Sequence, residues 1–420
     1  MAERRLVAGI DVGTTKVCTL VAAVEAESAL EITGIGMSRS RGLKRGVVVD
    51  REETISAVQA SVAEAERMAG TEITEAYVGV TGDHISSTNV SARVNVAVGN
   101  EVSQEDVERV LQSARDSVVL PPEREIIYVA DRGYTLDGVR DIARPMAMSG
   151  AALDVEAHIV TGMASVMANV ARCVEDAGIR IQKRILEPIA TSRAVVTDAE
   201  RELGVVLIDI GGGTTDIAVF ADGHIAHTSS IAVAGDHVTR DLAQVLRTSL
   251  DEAESIKRKW AVATPERVSD EEMIQVVLAG SNARERISRR LTGEVARSRV
   301  DEGLVMVVED LRRSSVFRSV NGGVVLSGGG SQLPGMTQVA SEIFGGLPVR
   351  IGLPRGLRGL SEAVATPAHA TAVGLVMLAA DEGASLTEPG DTIGVDSVMD
   401  KITEWFANLR AKFPTRRTSV

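Results

Sequence analysis

Cysteine and aromatic residues are both scarce in this chain. Its two cysteines, Cys18 and Cys173, are too few for a disulfide framework or a cysteine zinc site. With two Trp, three Tyr and five Phe among 420 residues, the hydrophobic cores must be built from Val, Ile, Leu and Ala. That composition favours an α/β protein with buried parallel strands. The opening MAERRLVAGID contains no apolar signal stretch, so we expect the chain to reside in the cytoplasm.

Long apolar runs and an excess of positive charge are also missing. The longest apolar candidate runs only from Thr371 to Ala380, whereas a bilayer-spanning helix needs roughly 20 apolar residues. We therefore expect no membrane crossing. The net charge of -13 argues against nucleic-acid binding, which needs a basic face to neutralise phosphates. A length of 420 residues exceeds what one core usually organises, so two domains are expected.

One sequence pattern occurs twice. Residues 7–17 (VAGIDVGTTKV) reappear as residues 206–217 (VLIDIGGGTTDI). In each copy a β-branched run ends in Asp, passes through a Gly and Thr turn, and resumes as a second apolar run. This order predicts a β-hairpin with the loop at its tip. The duplication predicts two related halves.

The residue types in these loops are suited to binding phosphate. Glycines let backbone N–H groups approach an anion, Thr hydroxyls add donors, and an Asp at the strand end can hold a divalent cation through water. A single copy is more often an ordinary turn. Two copies facing each other would form a phosphate clamp.

A third glycine cluster follows at residues 322–336 (GGVVLSGGGSQLPGM). The pattern predicts a buried strand, a flexible turn and a helix over about residues 337–344. Such a turn can lie close to a flat ligand, although alone it would equally be a tight connection between strand and helix.

Together the three loops, in this order and spacing, resemble the superfamily of actin, sugar kinases and heat-shock chaperone ATPases. The resemblance covers residues 1–380 and includes five signatures. They are the first phosphate loop (9–17), the second phosphate loop (207–219), the adenosine loop (325–335) and two connecting helices (186–194 and 368–374). The resemblance implies an actin-like ATPase fold, with two related domains around a nucleotide cleft that binds ATP and Mg²⁺.

The resemblance also implies roles for particular residues. Asp11 and Asp209 would hold magnesium through water, and Glu187 would orient the attacking water, although a Glu before Pro can simply mark a helix start. The remaining implied ligands of the nucleotide are Gly13, Thr14, Thr15, Lys16, Gly211, Gly212, Gly213, Thr214, Thr215, Asp216, Gly235, Glu254, Lys257, Gly328, Gly329, Gly330 and Ser331. Glu254 and Lys257 could equally form an ordinary ion pair on a solvated helix.

A long insertion at residues 77–162 indicates the branch of the superfamily. It contains a strand-like alternation at residues 90–96 and a helix that opens at Ser103 with apolar Val107 and Val110. This resembles the 1C subdomain of the FtsA family of bacterial cell-division actin homologues. The expected division is a first half at 1–205 with 1C at about 84–162, and a second half at 206–380 with subdomain 2B at about 235–320. The pilus-assembly family PilM shares much of this insertion.

The end of the chain differs from the body in charge and composition. Residues 381–400 hold six acidic and no basic side chains, and Pro and Gly interrupt them, so we expect a flexible linker. Residues 401–420 hold five basic side chains and one acidic side chain, and their large apolar groups recur at helical spacing. We expect an amphipathic membrane helix whose contacts are Ile402, Trp405, Phe406, Leu409, Arg410, Lys412 and Phe413. The alternative is a helix docked on protein. FtsA proteins end this way, and PilM is not expected to.

The resemblance implies a protein that polymerises on the cytoplasmic face of the membrane at the division site and anchors the FtsZ ring there. Its partners would be the FtsZ C-terminal peptide, further copies of itself, anionic lipids and later division proteins through 1C. Arg297, Arg299 and Glu302 are candidate contacts for the FtsZ peptide, although by charge alone they belong to a solvated helix face. ATP turnover is expected to be weak at most. The alternatives are a small-molecule kinase of the same fold, a PilM-like pilus-assembly protein and a chaperone-type ATPase.

Overall fold

The computed structural model describes residues 5–24, 30–97, 101–281, 283–314, 316–384 and 386. The strands are β1 (Arg5–Val12), β2 (Lys16–Val24), β3 (Leu30–Arg39), β4 (Leu43–Lys44), β5 (Val47–Val48), β6 (Glu75–Val80), β7 (Ser86–Asn95), β8 (Arg124–Leu136), β9 (Val139–Ile142), β10 (Ala152–Met163), β11 (Arg180–Leu186), β12 (Val205–Ile210), β13 (Thr215–Ala221), β14 (His224–Ile231), β15 (Met273–Val277), β16 (Arg284–Ser288), β17 (Val324–Ser327), β18 (Val349–Ile351) and β19 (Leu357–Gly359). The helices are α1 (Arg51–Ala69), α2 (Gln104–Asp116), α3 (Ala164–Asp176), α4 (Glu187–Val195), α5 (Asp198–Leu203), α6 (Gly235–Val245), α7 (Leu250–Trp260), α8 (Arg289–Arg313), α9 (Met336–Ile343), α10 (Ser361–Val364) and α11 (Ala370–Asp381).

The first sheet is built around the first copy of the repeated pattern. Its strand order is β11-β6-β1-β2-β3-β19, and β1 and β2 form an antiparallel hairpin in which Asp11 pairs with Cys18. Alternate residues of β1 point to opposite faces, so Val7 packs with α11 while Ile10 packs with α1 and α3. Both faces are covered, which explains why β1 and β2 are mostly apolar.

The second sheet repeats this plan around the second copy. Its order is β14-β13-β12-β17-β18, and the β12–β13 hairpin pairs Asp209 with Asp216. Leu207 packs toward α4 and α11, whereas Ile208 packs toward α8 and α9. The predicted hairpins, and the strand, turn and helix of the third glycine cluster, are all present.

The end of the second half returns to the first sheet. Strand β19 pairs in parallel with β3, and α11 packs against β1, β2 and β6. The predicted boundary of a contiguous second half at 206–380 is therefore wrong at its C-terminal end. A regular sequence pattern cannot show this return of the chain to the first sheet, because the pattern of a strand or helix is the same whichever sheet it packs on.

Helices α4 and α11 cross closely between the two sheets. They begin one residue and two residues later than the predicted signatures, at Glu187 and Ala370. Residues 370–379 of α11 are all buried. A Cβ atom added to Gly374 would lie 1.7 Å from the carbonyl oxygen of Ala190, so only glycine allows this approach.

The inserted segment folds as a separate sheet covered by one helix. The sheet order is β7-β10-β8-β9, and α2 packs on it through Val107, Val110 and Ala114. Helix α2 begins with a reciprocal capping box between Ser103 and Asp106, as the sequence predicts. The predicted strand at residues 90–96 corresponds to the last part of β7, which ends one residue earlier, at Asn95.

The insert contacts the second half along the edge strand β14. The Ser87 hydroxyl donates to the Thr228 carbonyl oxygen at 2.6 Å, and the Asn89 amide donates to the Ala226 carbonyl oxygen at 2.9 Å. Fully buried His158 joins them, with Nδ1 at 2.7 Å from Asn89 Oδ1 and Nε2 at 3.0 Å from Thr228 Oγ1. Burial lowers the pKa of His158 to about 3, so the ring is neutral and one nitrogen accepts. We call this contact the β7–β14 seam.

Helices α6, α7 and α8 and the β15–β16 hairpin form a smaller unit in the second half. Val238, Leu242, Ile256, Ile274 and Ala296 make its core. Helix α8 begins at residue 289, directly after β16.

The segment that follows α11 is attached to the first half. Asp381 is the last residue of α11, and Glu382 accepts hydrogen bonds from the Tyr77 hydroxyl at 2.8 Å and from Lys183 Nζ at 2.6 Å. The Leu386 amide donates to the Leu6 carbonyl oxygen at 2.8 Å. The predicted start of a flexible linker at residue 381 is therefore too early. Residues 387–420, with the rest of the predicted linker and the amphipathic helix, lie outside the described residues.

Over the ranges that the structure describes, no helix combines the length and the apolar content that crossing a membrane requires.

The helix crossing predicts opposite effects for two glycine substitutions. Gly374→Ala should lower the free energy of unfolding by about 3 kcal/mol or more, because the new methyl group overlaps the Ala190 backbone. Gly303→Ala is the matched control, since a Cβ there would make only an ordinary contact, 3.5 Å from Val233, and helix propensity should raise stability by up to about 1 kcal/mol. Chemical denaturation of both variants measures this. Equal stability of Gly374→Ala and wild type would contradict the crossing.

Candidate functional site

The tips of the two repeated hairpins lie against each other. A Cβ atom added to Gly213 would lie 2.5 Å from the Thr14 hydroxyl oxygen. A Cβ atom added to Gly212 would lie 2.4 Å from the Thr15 methyl carbon. Glycine at both positions therefore lets the loops meet, and the expectation that they face each other is confirmed.

Beneath these tips lies a cluster of buried carboxylates. Asp11, Asp209, Asp216 and Glu187 are each at most 8% exposed. Burial raises the pKa of Asp209 to about 7, and it also raises the pKa of Asp11 and of Asp216. Burial, followed by repulsion from Asp11, Asp216 and Asp209, raises the pKa of Glu187 well above its usual range. A cation entering this cluster would relieve the repulsion and restore the charged forms.

Hydroxyl donors hold two of these carboxylates. Asp209 Oδ2 accepts from Thr191 of α4 at 2.5 Å and from Thr371 of α11 at 3.2 Å, and the two hydroxyls are 2.9 Å apart. Asp216 accepts from Thr81 and from Thr214. Both crossing helices therefore meet on one strand-end aspartate.

Glu187 is placed differently from the aspartates. It is the first residue of α4 and is followed in the sequence by Pro188, so the expected helix-start geometry is present. Among the described residues, Glu187 Oε1 is buried and has no hydrogen-bond partner. A buried acceptor left open in this way is available to a donor such as water.

Lys16 follows the first tip and contributes positive charge to the cluster. Its Nζ donates to the Ala368 carbonyl oxygen, just before α11. Its charge opposes the rise in pKa of both Asp11 and Glu187. Lys16 thus joins the first tip to the second connecting segment.

The carboxylates fit a cation held through water better than one enclosed by protein ligands. No position within the described ranges brings together three carboxylate, imidazole or thiolate side chains as metal ligands. Magnesium usually keeps several waters and needs only one or two carboxylates. Asp11 and Asp209 lie at equivalent strand ends of the two sheets and repel each other electrostatically, which suits that role.

The predicted adenosine-flanking residues are joined to the second tip. Glu254 and Lys257 do form the i, i+3 ion pair, at 2.6 Å. Lys257 Nζ also donates to the Gly235 carbonyl oxygen at 3.1 Å, and the Gly235 amide donates to the Gly211 carbonyl oxygen at 3.1 Å. The pair is therefore anchored at the loop, unlike a pair on an open helix face.

The third glycine cluster closes over the second hairpin. Gly328 has φ +77°, and a Cβ there would lie 2.3 Å from Asp209 Oδ1. A Cβ on Gly330 would lie 2.4 Å from the Ile210 side chain, while the Ser331 hydroxyl donates to the Gly328 carbonyl oxygen at 2.7 Å. Gly329 lies between them in the same turn. All three loops thus meet at one end of the two sheets.

The candidate partner residues lie on α8. Arg297 pairs with Asp301 at 2.6 Å and with Glu342 at 3.1 Å. Arg299 makes a two-pronged pair with Asp241, at 2.7 and 2.9 Å, and also pairs with Glu302. These cations already have partners within the chain. The membrane candidates Ile402, Trp405, Phe406, Leu409, Arg410, Lys412 and Phe413 lie outside the described residues.

Sequence reasoning did not assign a role to the hydroxyls of Thr81, Thr191 and Thr371. Thr191 and Thr371 lie in the two connecting-helix signatures and Thr81 lies near the start of the insertion, but a single Thr has no periodicity that would mark it. His158 of the β7–β14 seam was missed for the same reason.

Comparison with known proteins decides the family. A family model described as "Cell division protein FtsA" matches residues 206–374, and one described as "SHS2 domain inserted in FTSA" matches residues 82–161. The cell division protein FtsA of Pseudomonas aeruginosa is 38% identical over 408 residues, which cover 96% of this chain and 97% of the relative. This chain belongs to the FtsA family. The FtsA protein of Escherichia coli K12 is 34% identical and covers 98% of this chain and 99% of the relative. The chain is thus an actin-like cell-division protein.

Solved structures confirm the FtsA fold class. The PilM–PilN type IV pilus biogenesis complex contains a chain with a TM-score of 0.62 and 16% identity, covering 88% of this chain and 97% of the other. The ethanolamine utilization protein EutJ of Carboxydothermus hydrogenoformans has a TM-score of 0.50 and 18% identity, covering 90% and 92%. The predicted actin-like ATPase fold is confirmed. At these identities the likeness concerns fold only.

The raised pKa of Glu187 predicts a pH-dependent effect of Glu187→Gln. Because the folded-state pKa lies above the unfolded value, Glu187 lowers stability increasingly as pH rises above that unfolded value of about 4.3. Without nucleotide, the variant should therefore unfold about 2 °C or more above wild type at pH 8, with no difference near pH 4. Thermal unfolding across pH measures this.

The control is Glu271→Gln, at an exposed glutamate, which should show no pH-dependent difference from wild type. A Glu187→Gln curve parallel to wild type at every pH would contradict the carboxylate cluster.

Proposed function

We propose that this chain binds ATP with magnesium between the two hairpin tips. The observation that carries the proposal is the meeting of two Gly and Thr tips over a buried, mutually repelling set of carboxylates. The tips supply backbone and hydroxyl donors for phosphate, and the carboxylates favour a cation. The third glycine cluster (residues 322–336) and the hydrogen bond between Lys257 and Gly235 would flank the adenosine.

Each residue has a role in this proposal. Asp11 and Asp209 would hold magnesium through its waters, and magnesium would supply charge neutralisation at the phosphates. Gly13, Thr14 and Thr15 would face the phosphates from the first tip, as would Gly211 to Thr215 from the second. When nucleotide binds, Lys16 Nζ would either break its hydrogen bond to the Ala368 carbonyl oxygen or keep it while interacting electrostatically with a phosphate oxygen. Glu187, with its open Oε1, would orient a water for a slow hydrolysis.

Nucleotide binding in this proposal acts mainly on conformation. Thr191 and Thr371 join Asp209 to both crossing helices. A change of charge at Asp209 would therefore alter hydrogen bonds at the place where the two halves connect. A ligand shifts such an equilibrium only by binding one arrangement better. We infer that ATP favours a closed form that assembles with further copies into a filament.

Membrane attachment is proposed from the sequence of residues 401–420. Each Lys or Arg near an anionic surface contributes about 1 kcal/mol, and Trp405, Phe406 and Phe413 supply apolar area. One copy would bind reversibly, and a filament would remain attached through many copies. The protein would therefore work at the cytoplasmic face of the membrane at the division site.

The proposed division partners follow from family membership. The FtsZ C-terminal peptide would dock on the unit formed by α6 to α8, and later division proteins would use the insert. An acidic peptide that binds at Arg297, Arg299 and Glu302 would have to displace the carboxylates of Asp301, Glu342 and Asp241 from the two arginines. This exchange lowers the net free energy gained on binding. Because the chain belongs to a cell-division family, neither the kinase nor the pilus-assembly alternative is proposed.

The nucleotide site is tested by Asp209→Ala. Loss of this carboxylate removes a magnesium position and the acceptor of two hydroxyls, so ATP affinity in magnesium should fall at least about tenfold. Equilibrium titration with a fluorescent ATP analogue measures it. Asp270→Ala, at an aspartate whose side chain is 81% exposed, is the control and should bind like wild type. Unchanged affinity of Asp209→Ala would rule out this site.

The membrane proposal is tested by sedimentation with liposomes in ATP and magnesium. The full chain should pellet with anionic vesicles and form filaments on them, whereas Trp405→Glu and a chain ending at Asp400 should stay in solution. Trp260→Ala changes the other tryptophan and should pellet like wild type. Pelleting of the truncated chain, or failure of the full chain to pellet, would refute the tail as the anchor.

A further inference from the structure

Thr81 lies where the first half, the insert and the second half meet. It follows the last residue of β6, and β7 of the insert begins at Ser86. The Thr81 hydroxyl donates to Asp216 Oδ1 at 2.5 Å, although the two residues are 135 positions apart. This contact joins the first half to the first residues of β13.

Asp216 is consequently held from both halves. Thr214, in the second tip, donates to the other carboxylate oxygen, Oδ2, at 3.2 Å. The backbone of Asp216 lies opposite that of Asp209 in the β12–β13 hairpin. The Asp216 charge also contributes to the raised pKa of Glu187. The position of this carboxylate therefore affects the rest of the cluster.

Thr81 also lies beside Glu187. Both border one small cavity, together with Gly79 and His84. A Cβ on Gly79 would lie 3.1 Å from Glu187 Cγ and 3.4 Å from Glu187 Oε1, so Glu187 packs directly on the end of β6. The end of β6, together with Thr81 just beyond it, thus touches two members of the carboxylate cluster.

We propose that Thr81 is a positioning residue of the nucleotide site, which fixes the Asp216 carboxylate across the two halves so that magnesium nucleotide can bind. A hydroxyl that donates to a carboxylate both orients it and stabilises its charged form. Without that donor, Asp216 would be buried beside Asp11, Asp209 and Glu187 with Thr81 no longer restraining Oδ1. The inference rests on the proposed function.

Two substitutions separate the hydroxyl from the shape of the side chain. Thr81→Val keeps the branched shape and removes the donor, whereas Thr81→Ser keeps the donor. We expect Thr81→Val to weaken ATP binding in magnesium at least about tenfold, and Thr81→Ser to bind within about threefold of wild type. Without magnesium the differences should shrink. Thr33→Val is the control, because Thr33 donates only within the first sheet, to the Val21 carbonyl oxygen at 3.4 Å, and it should bind like wild type.

A second measurement tests the contact without any ligand. In a double-mutant cycle, the changes in stability caused by Thr81→Val and Asp216→Ala should not add, since each removes the same hydrogen bond. Chemical denaturation of wild type and the three variants gives the coupling.

Each result decides the proposal. Tenfold weaker binding by Thr81→Val that Thr81→Ser restores, with non-additive stabilities, supports it. Wild-type affinity in Thr81→Val overturns it, as does equal weakness in Thr81→Ser, which would indicate packing alone. Additive changes in stability would show that the hydroxyl does not hold Asp216. A wild-type chain that binds no nucleotide would refute the proposed function, while the cycle would still decide whether Thr81 restrains Asp216.

Discussion

The burial of Asp11, Asp209, Asp216 and Glu187 in one place is the constraint on which the rest of this structure depends. Like charges in a poorly hydrated space repel, and the raised pKa values express that cost. The fold offsets part of it with hydroxyl donors and with Lys16. Strands β1 and β12 can carry an aspartate at such a position because most of their other residues are buried aliphatics that stabilise each sheet. The site is therefore strained electrostatically but supported by packing.

The same carboxylates connect the site to the parts that join the halves. Helices α4 and α11 approach closely because Gly374 faces the Ala190 backbone, and that approach brings Thr191 and Thr371 onto one oxygen of Asp209. The β7–β14 seam adds a second connection, since it binds the insert to a strand of the opposite half. A motion of one half relative to the other must therefore involve the crossing helices and the insert together. Interfaces packed in this way tend to have discrete arrangements and do not deform continuously.

Sequence reasoning located the elements better than the contacts between them. The duplicated pattern predicted both hairpins and the strand-end aspartates, because apolar alternation and Gly turns are local signals. The helix α2 and its cap were predicted for the same reason. The hydrogen bonds from Thr81 and Thr371 to aspartates span 135 and 162 positions, and no local pattern encodes a partner so distant. The return of β19 and α11 to the first sheet, and the pairing of Arg299 with Asp241 across 58 positions, were hidden for the same physical reason.

The attachment of Glu382 and Leu386 also determines how the protein would respond to mechanical force. Glu382 is held by Tyr77 and Lys183, and the Leu386 backbone is held by Leu6, so both residues are tied to strands β1, β6 and β11 of the first sheet. A pull on the chain beyond residue 386 would load β1, β6 and β11 before it reached α11. Those strands are hydrogen-bonded side by side, and such an arrangement shares a load among several bonds. Such tension would thus not reach the crossing of α4 and α11. The geometry of this crossing would then depend only on what binds in the cleft between the two halves.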